Sequence, residues 1–235
     1  MTELSSDVVP RVELLVPGDR AAILLVDFAF SSEGVLRAAL GEPVAGHSVS
    51  RLDPVAALAD LPDVAELPGL EELAAGYARR IAGDVGEPAV FIGYCGAARL
   101  AVAVVDELAR LNGYRAGLLL VEPTWVEPGL IRLDLAEALV RLGGDAGVAA
   151  EVELTLPAVL GVLGDAVETR LRDAGVEAEE IEMTRELLLE RYRGFFGFLL
   201  ATAAAAIEPA QPVRSCTRSE LREVALALAE SAVIR

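Results

Sequence analysis

A cysteine stands at the sharpest predicted bend of the sequence, between an apolar run at 89–92 and a helical pattern at 97–111. The bend has the sequence Gly93-Tyr94-Cys95-Gly96-Ala97. In a G-x-S-x-G elbow, a nucleophile lies on a strained turn from strand to helix, and small neighbours let both elements pass closely. This bend has that spacing, with cysteine in place of serine and alanine in place of the last glycine. The pattern therefore predicts that Cys95 is a nucleophile.

The predicted start of a helix directly after Cys95 adds electrostatic support for this chemistry. Backbone N–H groups at a helix N-terminus stabilise negative charge, so the amide of Gly96 is a candidate to hold an oxyanion. The same environment favours a thiolate over a thiol. The alternative for Cys95 is a small core residue, since cysteine is among the most buried residue types.

The segments around the bend predict the strands and helices that would position it. Candidate strands are continuous apolar runs, typical of parallel strands buried on both faces, at 21–26, 89–92 and 117–121, with a shorter stretch at 43–49. Candidate helices at 70–81 and 97–111 alternate with these runs. Strands that alternate with helices predict an α/β fold with a mostly parallel sheet flanked by helices.

Helix-period segments replace the strand-like runs after about residue 129. They occur at 157–174, 178–207 and 219–234, the second one markedly apolar toward its end. Proline-bearing stretches at 61–70 and 208–215 predict surface connections. We interpret residues 1–235 as a single domain with a helical insertion at about 129–207.

Charge and hydropathy narrow the range of partners and locations. The formal net charge is −17, from 20 Lys+Arg and 37 Asp+Glu. Such a surface repels phosphate groups, so we expect this protein to bind neither nucleic acid nor an anionic membrane. Although 54% of residues are hydrophobic, the sequence lacks the run of about 18 uncharged apolar residues that a membrane span needs. The opening residues lack a signal-peptide pattern, so we expect a cytoplasmic protein.

The cysteine and histidine content argues against a metal centre. Cys95 and Cys216 lie far apart and form no CxxC pair, and His47 is the only histidine. We interpret Cys216 as incidental and expect neither a disulfide framework nor a bound metal.

The elbow and its flanks resemble a known family. The segment LEELAAGYARRIAGDVGEPAVFIGYCGAARLAVAVVDEL is similar to the thioesterase domains of polyketide and nonribosomal peptide assembly lines, members of the α/β-hydrolase superfamily. A weaker similarity extends from about residue 18 to 207, and the helical insertion resembles that family's lid. The resemblance implies an α/β-hydrolase fold. It also implies a substrate delivered as a thioester on the phosphopantetheine of an acyl or peptidyl carrier protein, with no cofactor held by the enzyme itself.

The resemblance also implies roles for individual residues. Cys95 would take up the acyl or peptidyl group, and Glu122 would be the acid of a catalytic triad. The loop Asp27-Phe28-Ala29-Phe30 would complete the oxyanion hole through an amide at Phe28, although it lacks the family's usual glycine pair. Tyr94 and Trp125 are candidates to line an acyl pocket.

The largest departure from the family concerns the general base. The family's catalytic histidine follows a late strand, and the residues after 207 contain no histidine. His47 is therefore the only histidine that could be the base, in a stretch that matches an early strand. The alternative for His47 is a partly exposed residue at a strand end.

Three functions follow from these patterns. The first is a thioesterase-like enzyme of polyketide or nonribosomal peptide biosynthesis that uses Cys95 for hydrolysis, cyclisation or acyl transfer. The second is a catalytically inactive relative that binds a carrier protein or partner enzyme, with the apolar stretch at 195–207 also offering a homodimer contact. The third is a dinucleotide-binding protein, since 90–122 has the outline strand, glycine turn, helix, strand and acid. Its G-x-G-x-x-G pattern would place Cys95 at the second glycine, where a side chain obstructs the pyrophosphate.

Overall fold

The computed structural model describes residues 10–28, 35–41, 46–59, 68–205 and 213–232. The chain divides into two compact units. The first comprises Met1–Ala57, Pro68–Trp125 and Ala205–Arg235, and the second comprises Leu58–Leu67 and Val126–Ala204.

A six-stranded sheet forms the centre of the first unit, in the order β1-β3-β2-β4-β5-β6. Its strands are β1 (Val12–Val16), β2 (Arg20–Val26), β3 (His47–Leu52), β4 (Val90–Tyr94), β5 (Gly117–Val121) and β6 (Arg214–Cys216). β1 is antiparallel to β3, and each of the other neighbouring pairs is parallel. The prediction of an α/β fold with a mostly parallel sheet is confirmed.

Helices cover the strands of the first unit because its central strands are apolar on both sides. The helices of this unit are α1 (Val35–Leu40), α3 (Leu70–Asp84), α4 (Ala98–Asn112) and α9 (Leu221–Ala232), and the first residues of α2 (Pro54–Ala59) also belong to it. Ile23 and Leu25 of β2 lie in a buried cluster with side chains of α1 and α9. α4 packs against β4 and against α3. The continuous apolar runs of the sequence therefore correspond to strands buried between helices.

The second unit is helical in its described residues. It contains α5 (Pro128–Leu142), α6 (Val148–Glu151), α7 (Leu156–Asp173) and α8 (Ala178–Ala204). Leu135, Leu163 and Phe196 are among the fully buried side chains of its own core. α7 and α8 agree closely with the helices predicted at 157–174 and 178–207, except that residues 206 and 207 lie outside the described residues.

Two strands at the edges of the sheet were not predicted. The sequence does not predict β1, and it predicts a surface connection at 208–215, whereas β6 begins at Arg214 and pairs in parallel with β5. Residues 208–212 of that stretch, and 60–67 of the other predicted connection, lie outside the described residues. A three-residue strand is too short to show a hydrophobic period.

Within the described residues, no helix is both long and apolar enough to cross a membrane.

Candidate active site

Cys95 lies on a tight turn between β4 and α4. β4 ends at Tyr94, a 3-10 turn spans Cys95–Ala97, and α4 begins at Ala98. The φ of Cys95 is +48°, in the left-handed region that residues other than glycine rarely occupy. The strand–turn–helix geometry of a nucleophile elbow is therefore present, and the thiol is partly exposed. Its role as nucleophile stays a prediction.

Gly93 explains why the elbow needs a small residue before the turn. A Cβ at this position would lie 2.7 Å from Cβ of Ala101 and 3.0 Å from Cα of Ala98. The glycine therefore lets α4 fold back closely over β4.

Thr124 contacts Cys95 through two hydrogen bonds. The Cys95 thiol lies 3.6 Å from the Thr124 hydroxyl oxygen, to which it donates, and the backbone N–H of Thr124 donates to the Cys95 carbonyl oxygen at 3.2 Å. Thr124 lies in the loop that follows β5. Sequence reasoning missed this residue. The available signal was its position two residues after Glu122, because the ends of neighbouring parallel strands meet at one edge of the sheet.

Glu122 follows β5 directly and has a φ of +45°, so it shares the left-handed conformation of Cys95. Its backbone N–H donates to the carbonyl oxygen of Cys216 at 3.1 Å. Its carboxylate forms an ion pair with Arg218, with 2.9 Å between Oε2 and the guanidinium Nε. Glu122, the predicted triad acid, therefore lies after the strand next to β4, and its ion-pair partner is an arginine and not a histidine.

Arg218 adds a fixed positive charge to this edge. The hydrogen bond that it donates to Glu122 raises the pKa of Arg218 above its ordinary value, so the guanidinium stays protonated and accepts no proton. The guanidinium also lies 6.0 Å from the ring centroid of Tyr94. Sequence reasoning missed Arg218, because its position depends on the short strand β6.

Tyr94 and Trp125 flank the elbow. Partial burial raises the pKa of the Tyr94 phenol, while Arg218 lowers it and Cys95, Glu122 and Asp27 raise it further. Trp125 is 43% exposed, and the Arg99 guanidinium lies 5.5 Å from its ring centroid. Tyr94 directly precedes Cys95, and Trp125 directly follows Thr124, whose hydroxyl accepts a hydrogen bond from the Cys95 thiol. Their predicted contact with an acyl group stays a prediction.

The two predicted oxyanion residues lie at the same edge of the sheet. Gly96 is buried in the turn after Cys95. Phe28 follows β2, whose last residue, Val26, pairs with Gly93 of β4. The remaining loop residues Ala29 and Phe30 lie outside the described residues. Phe28 and Gly96 thus remain candidates for the oxyanion hole.

Asp27, directly after β2, is a buried acid that the sequence indicated only as part of the loop at 27–30. Its exposure is 1%, and one carboxyl oxygen accepts the backbone N–H of Leu36 at 3.2 Å. The other oxygen, Oδ1, has no hydrogen-bond partner among the described residues. Burial raises the pKa of Asp27; Leu36 and Arg51 oppose that shift, and Asp53 adds to it.

His47 lies at the amino-terminal end of the parallel strands, whereas Cys95 lies at their carboxyl-terminal end. It begins β3 and pairs with Arg20 at the start of β2, whereas Gly93 pairs with Val26 at the end of β2. At about 3.3 Å per residue, this register separates His47 from Cys95 by roughly 20 Å along the strands. The structure therefore does not bring the predicted base to the predicted nucleophile.

The surroundings of His47 also correct its alternative interpretation as a partly exposed residue. The side chain is 0% exposed, and Nδ1 lies 2.6 Å from the carbonyl oxygen of Ala21. Nε2 is buried and has no hydrogen-bond partner among the described residues. His47 is therefore a buried residue at the start of β3. Across the described ranges of the chain, no group of three or more candidate metal ligands occurs.

Comparisons with known proteins concern the fold. No protein-family model matches this sequence, and a search of curated proteins gives no significant match. Among solved structures, holo-AB3403, a four-domain nonribosomal peptide synthetase bound to AMP and glycine, has a TM-score of 0.55 at 14% identity. The match covers 94% of this chain and 20% of the synthetase, so this chain spans about a fifth of that protein. The likeness concerns the fold, a mostly parallel sheet flanked by helices.

Two further structures resemble the chain at similar identity. BorB, a type II thioesterase from the borrelidin biosynthetic cluster, has a TM-score of 0.49 at 15% identity, over 91% of this chain and 76% of its own. A protein from Desulfitobacterium hafniense ascribed to the α/β hydrolase family has a TM-score of 0.48 at 12% identity, over 96% and 100%. At these identities the likeness concerns the fold alone.

Proposed function

We propose that this protein is a thioesterase-like enzyme that takes an acyl or peptidyl group from a thioester onto Cys95. The observation that supports this most is the left-handed conformation of Cys95 on the turn between β4 and α4. A non-glycine residue in that region costs about 1–2 kcal/mol, and such strain persists mainly at functional sites. The α/β-hydrolase-like fold places this turn at the carboxyl edge of a parallel sheet, where such folds carry their sites.

The acylation step conserves atoms and protons. The Cys95 thiol loses its proton to solvent, and the thiolate attacks the thioester carbonyl carbon to form a new C–S bond. The C–S bond to the incoming carrier arm then breaks, and the departing thiolate takes up a proton. One thioester replaces another, so the exchange is nearly isoenergetic and needs less assistance from a base than attack by serine.

The fate of the acyl group depends on whether a general base lies near Cys95. Hydrolysis needs a group that removes a proton from water. Glu122 is held in an ion pair by Arg218, and His47 lies at the other edge of the sheet. We therefore propose that the acyl-enzyme is passed to a thiol or amine acceptor faster than it is hydrolysed.

A carrier protein with a phosphopantetheine arm is the proposed donor. The elbow cysteine proposed for thioester chemistry and the fold shared with about a fifth of a nonribosomal peptide synthetase support this partner class. The second unit includes Val126–Ala204, which overlaps the insertion predicted at about 129–207, and we propose that this helical segment serves as a lid.

Intact-mass measurement after incubation with acyl-pantetheine thioesters tests the proposal. We expect the mass of one acyl group on the native chain and on C216S, but none on C95S. Cys216 is the matched control because it is the other cysteine and also partly exposed. An adduct that persists on C95S would contradict the assignment of Cys95. Complete absence of adducts on a folded native chain would contradict the enzyme proposal.

The second candidate function is a non-catalytic carrier-binding protein. The ion pair between Glu122 and Arg218 favours it, because this pair occupies the acid that a triad would use. Under this alternative, holo-carrier protein binds the native chain and C95S equally, and neither variant gains an acyl group. Equal binding together with a Cys95 adduct would support the enzyme.

A further inference from the structure

Thr124 lies where a side chain can act on the sulfur of Cys95. Within the described part of the chain, its hydroxyl is the side-chain group that hydrogen-bonds Sγ, at 3.6 Å. The backbone bond from Thr124 N–H to the Cys95 carbonyl oxygen, at 3.2 Å, holds the loop against the turn. The backbone of Thr124 is therefore held beside the turn by a bond that does not involve the thiol.

A hydroxyl can reverse its role as the sulfur changes charge. It accepts a hydrogen bond from the thiol, and after rotation it donates one to a thiolate. A hydrogen bond to an ionised group is about twice as strong as one between neutral groups. The contact is thus stronger after the proton has left than before, so it favours the nucleophilic form.

We propose that Thr124 is a positioning residue that stabilises the Cys95 thiolate by donating a hydrogen bond from its hydroxyl to Sγ. The proton of the thiol passes to solvent, and Thr124 keeps its own proton throughout. This role rests on the proposed function of Cys95. Under this proposal, the Thr124 hydroxyl in the loop after β5 supplies part of the activation that a histidine usually provides.

Alkylation of Cys95 by iodoacetamide tests this role without any substrate or turnover. All variants carry C216S, so that Cys95 is the only thiol. T124V keeps the shape and the backbone N–H while it removes the hydroxyl. We expect T124V to lower the alkylation rate by about tenfold near neutral pH, as expected for a lost charge-assisted hydrogen bond. T124S should keep the parent rate within about twofold, since it retains the hydroxyl.

The pH profile separates this role from a merely structural one. If the hydroxyl stabilises the thiolate, T124V and the parent should approach the same rate at alkaline pH, where both are ionised. A tenfold deficit that persists at alkaline pH would overturn the proposal, and so would an unchanged rate in T124V or an equal loss in T124S. If T124V does not fold, T124A against T124S provides the same comparison.

T155V is the matched control. Thr155 is exposed and precedes α7, and its side chain makes no capping hydrogen bond. We expect its alkylation rate to equal that of the parent. The result is also independent of the acylation experiment: a chain that forms no acyl adduct can still show the hydroxyl effect, and a chain that forms one can lack it.

Discussion

At the scale of single residues, two strained positions define the candidate site. Cys95 and Glu122 are the non-glycine residues with positive φ in the described ranges, and each follows one of two neighbouring strands. Each forms a backbone hydrogen bond with another segment. The Cys95 carbonyl accepts from Thr124 N–H, and Glu122 N–H donates to the Cys216 carbonyl. Such external bonds offset a conformational cost of about 1–2 kcal/mol at each position.

The buried acid Asp27 gives a pH-dependent prediction at this scale. Its pKa is raised in the folded state above the ordinary 3.8, chiefly by burial. The unfolded carboxyl therefore ionises first, and the native chain loses stability as the pH rises from 3.8 through the folded pKa. D27N removes the ionisation and keeps an oxygen for the Leu36 N–H.

Thermal unfolding of the native protein and of D27N at several pH values measures the loss of stability that we expect from ionisation of Asp27. We expect the melting temperature of D27N, relative to that of the native chain, to increase with pH above 3.8 and to be constant below it. A relative melting temperature that does not vary with pH would show that Asp27 does not titrate differently in the folded state.

At the scale of elements, the site depends on how closely α4 crosses β4. Gly93 lies where the helix approaches the strand, and Ala98 and Ala101 are the small helix residues that face it. The sheet order places β2 and β5 on either side of β4, so the ends of all three strands reach one edge. The elbow, the loop at Phe28 and the loop at Thr124 meet there for this reason.

Replacement of Gly93 by alanine tests this close approach. The new Cβ would lie 2.7 Å from Ala101, so the helix must shift, and we expect a loss of about 1–3 kcal/mol in the free energy of unfolding. Denaturant unfolding measures it. The control is G83A in α3, where a Cβ meets nothing within 4 Å and helix propensity predicts a gain of about 0.5–1 kcal/mol. Equal stability of G93A and the native chain would contradict the packing argument.

At the scale of the whole molecule, the net charge of −17 governs association with charged partners. A carrier protein of negative net charge would be repelled, and salt screens repulsion over a Debye length of about 10 Å at 0.1 M. The local positive charge of Arg218 is already paired with Glu122. Long-range repulsion therefore opposes the proposed encounter at low salt.

The salt dependence of acylation tests whether long-range repulsion opposes the encounter with an acidic carrier protein. We expect the rate of Cys95 acylation from an acidic holo-carrier thioester to rise with added salt. Acylation from an uncharged N-acetylcysteamine thioester serves as the control and should change little. A carrier-dependent rate that falls with salt would instead indicate a local electrostatic attraction that dominates over the net charge.

The sequence by itself determined the central parallel strands β2, β4 and β5, the elbow, and the helices α3, α4, α7 and α8, whereas α5 was not predicted. The runs at 21–26, 89–92 and 117–121 are apolar throughout, and the glycines around Cys95 mark a tight turn, so local pattern was sufficient for these elements. The same reasoning placed Glu122 at the end of β5. These features depend on residues that are adjacent in the chain.

Only the tertiary structure decided which side chains meet. Strand order and register put His47 at the far edge of the sheet, and the short strand β6 brings Arg218 to Glu122 across a long separation in sequence. Thr124 reaches Cys95 because β4 and β5 are neighbours. A strand's apolar pattern shows that it is buried but not which strand lies beside it, and that pairing sets the partners of Cys95.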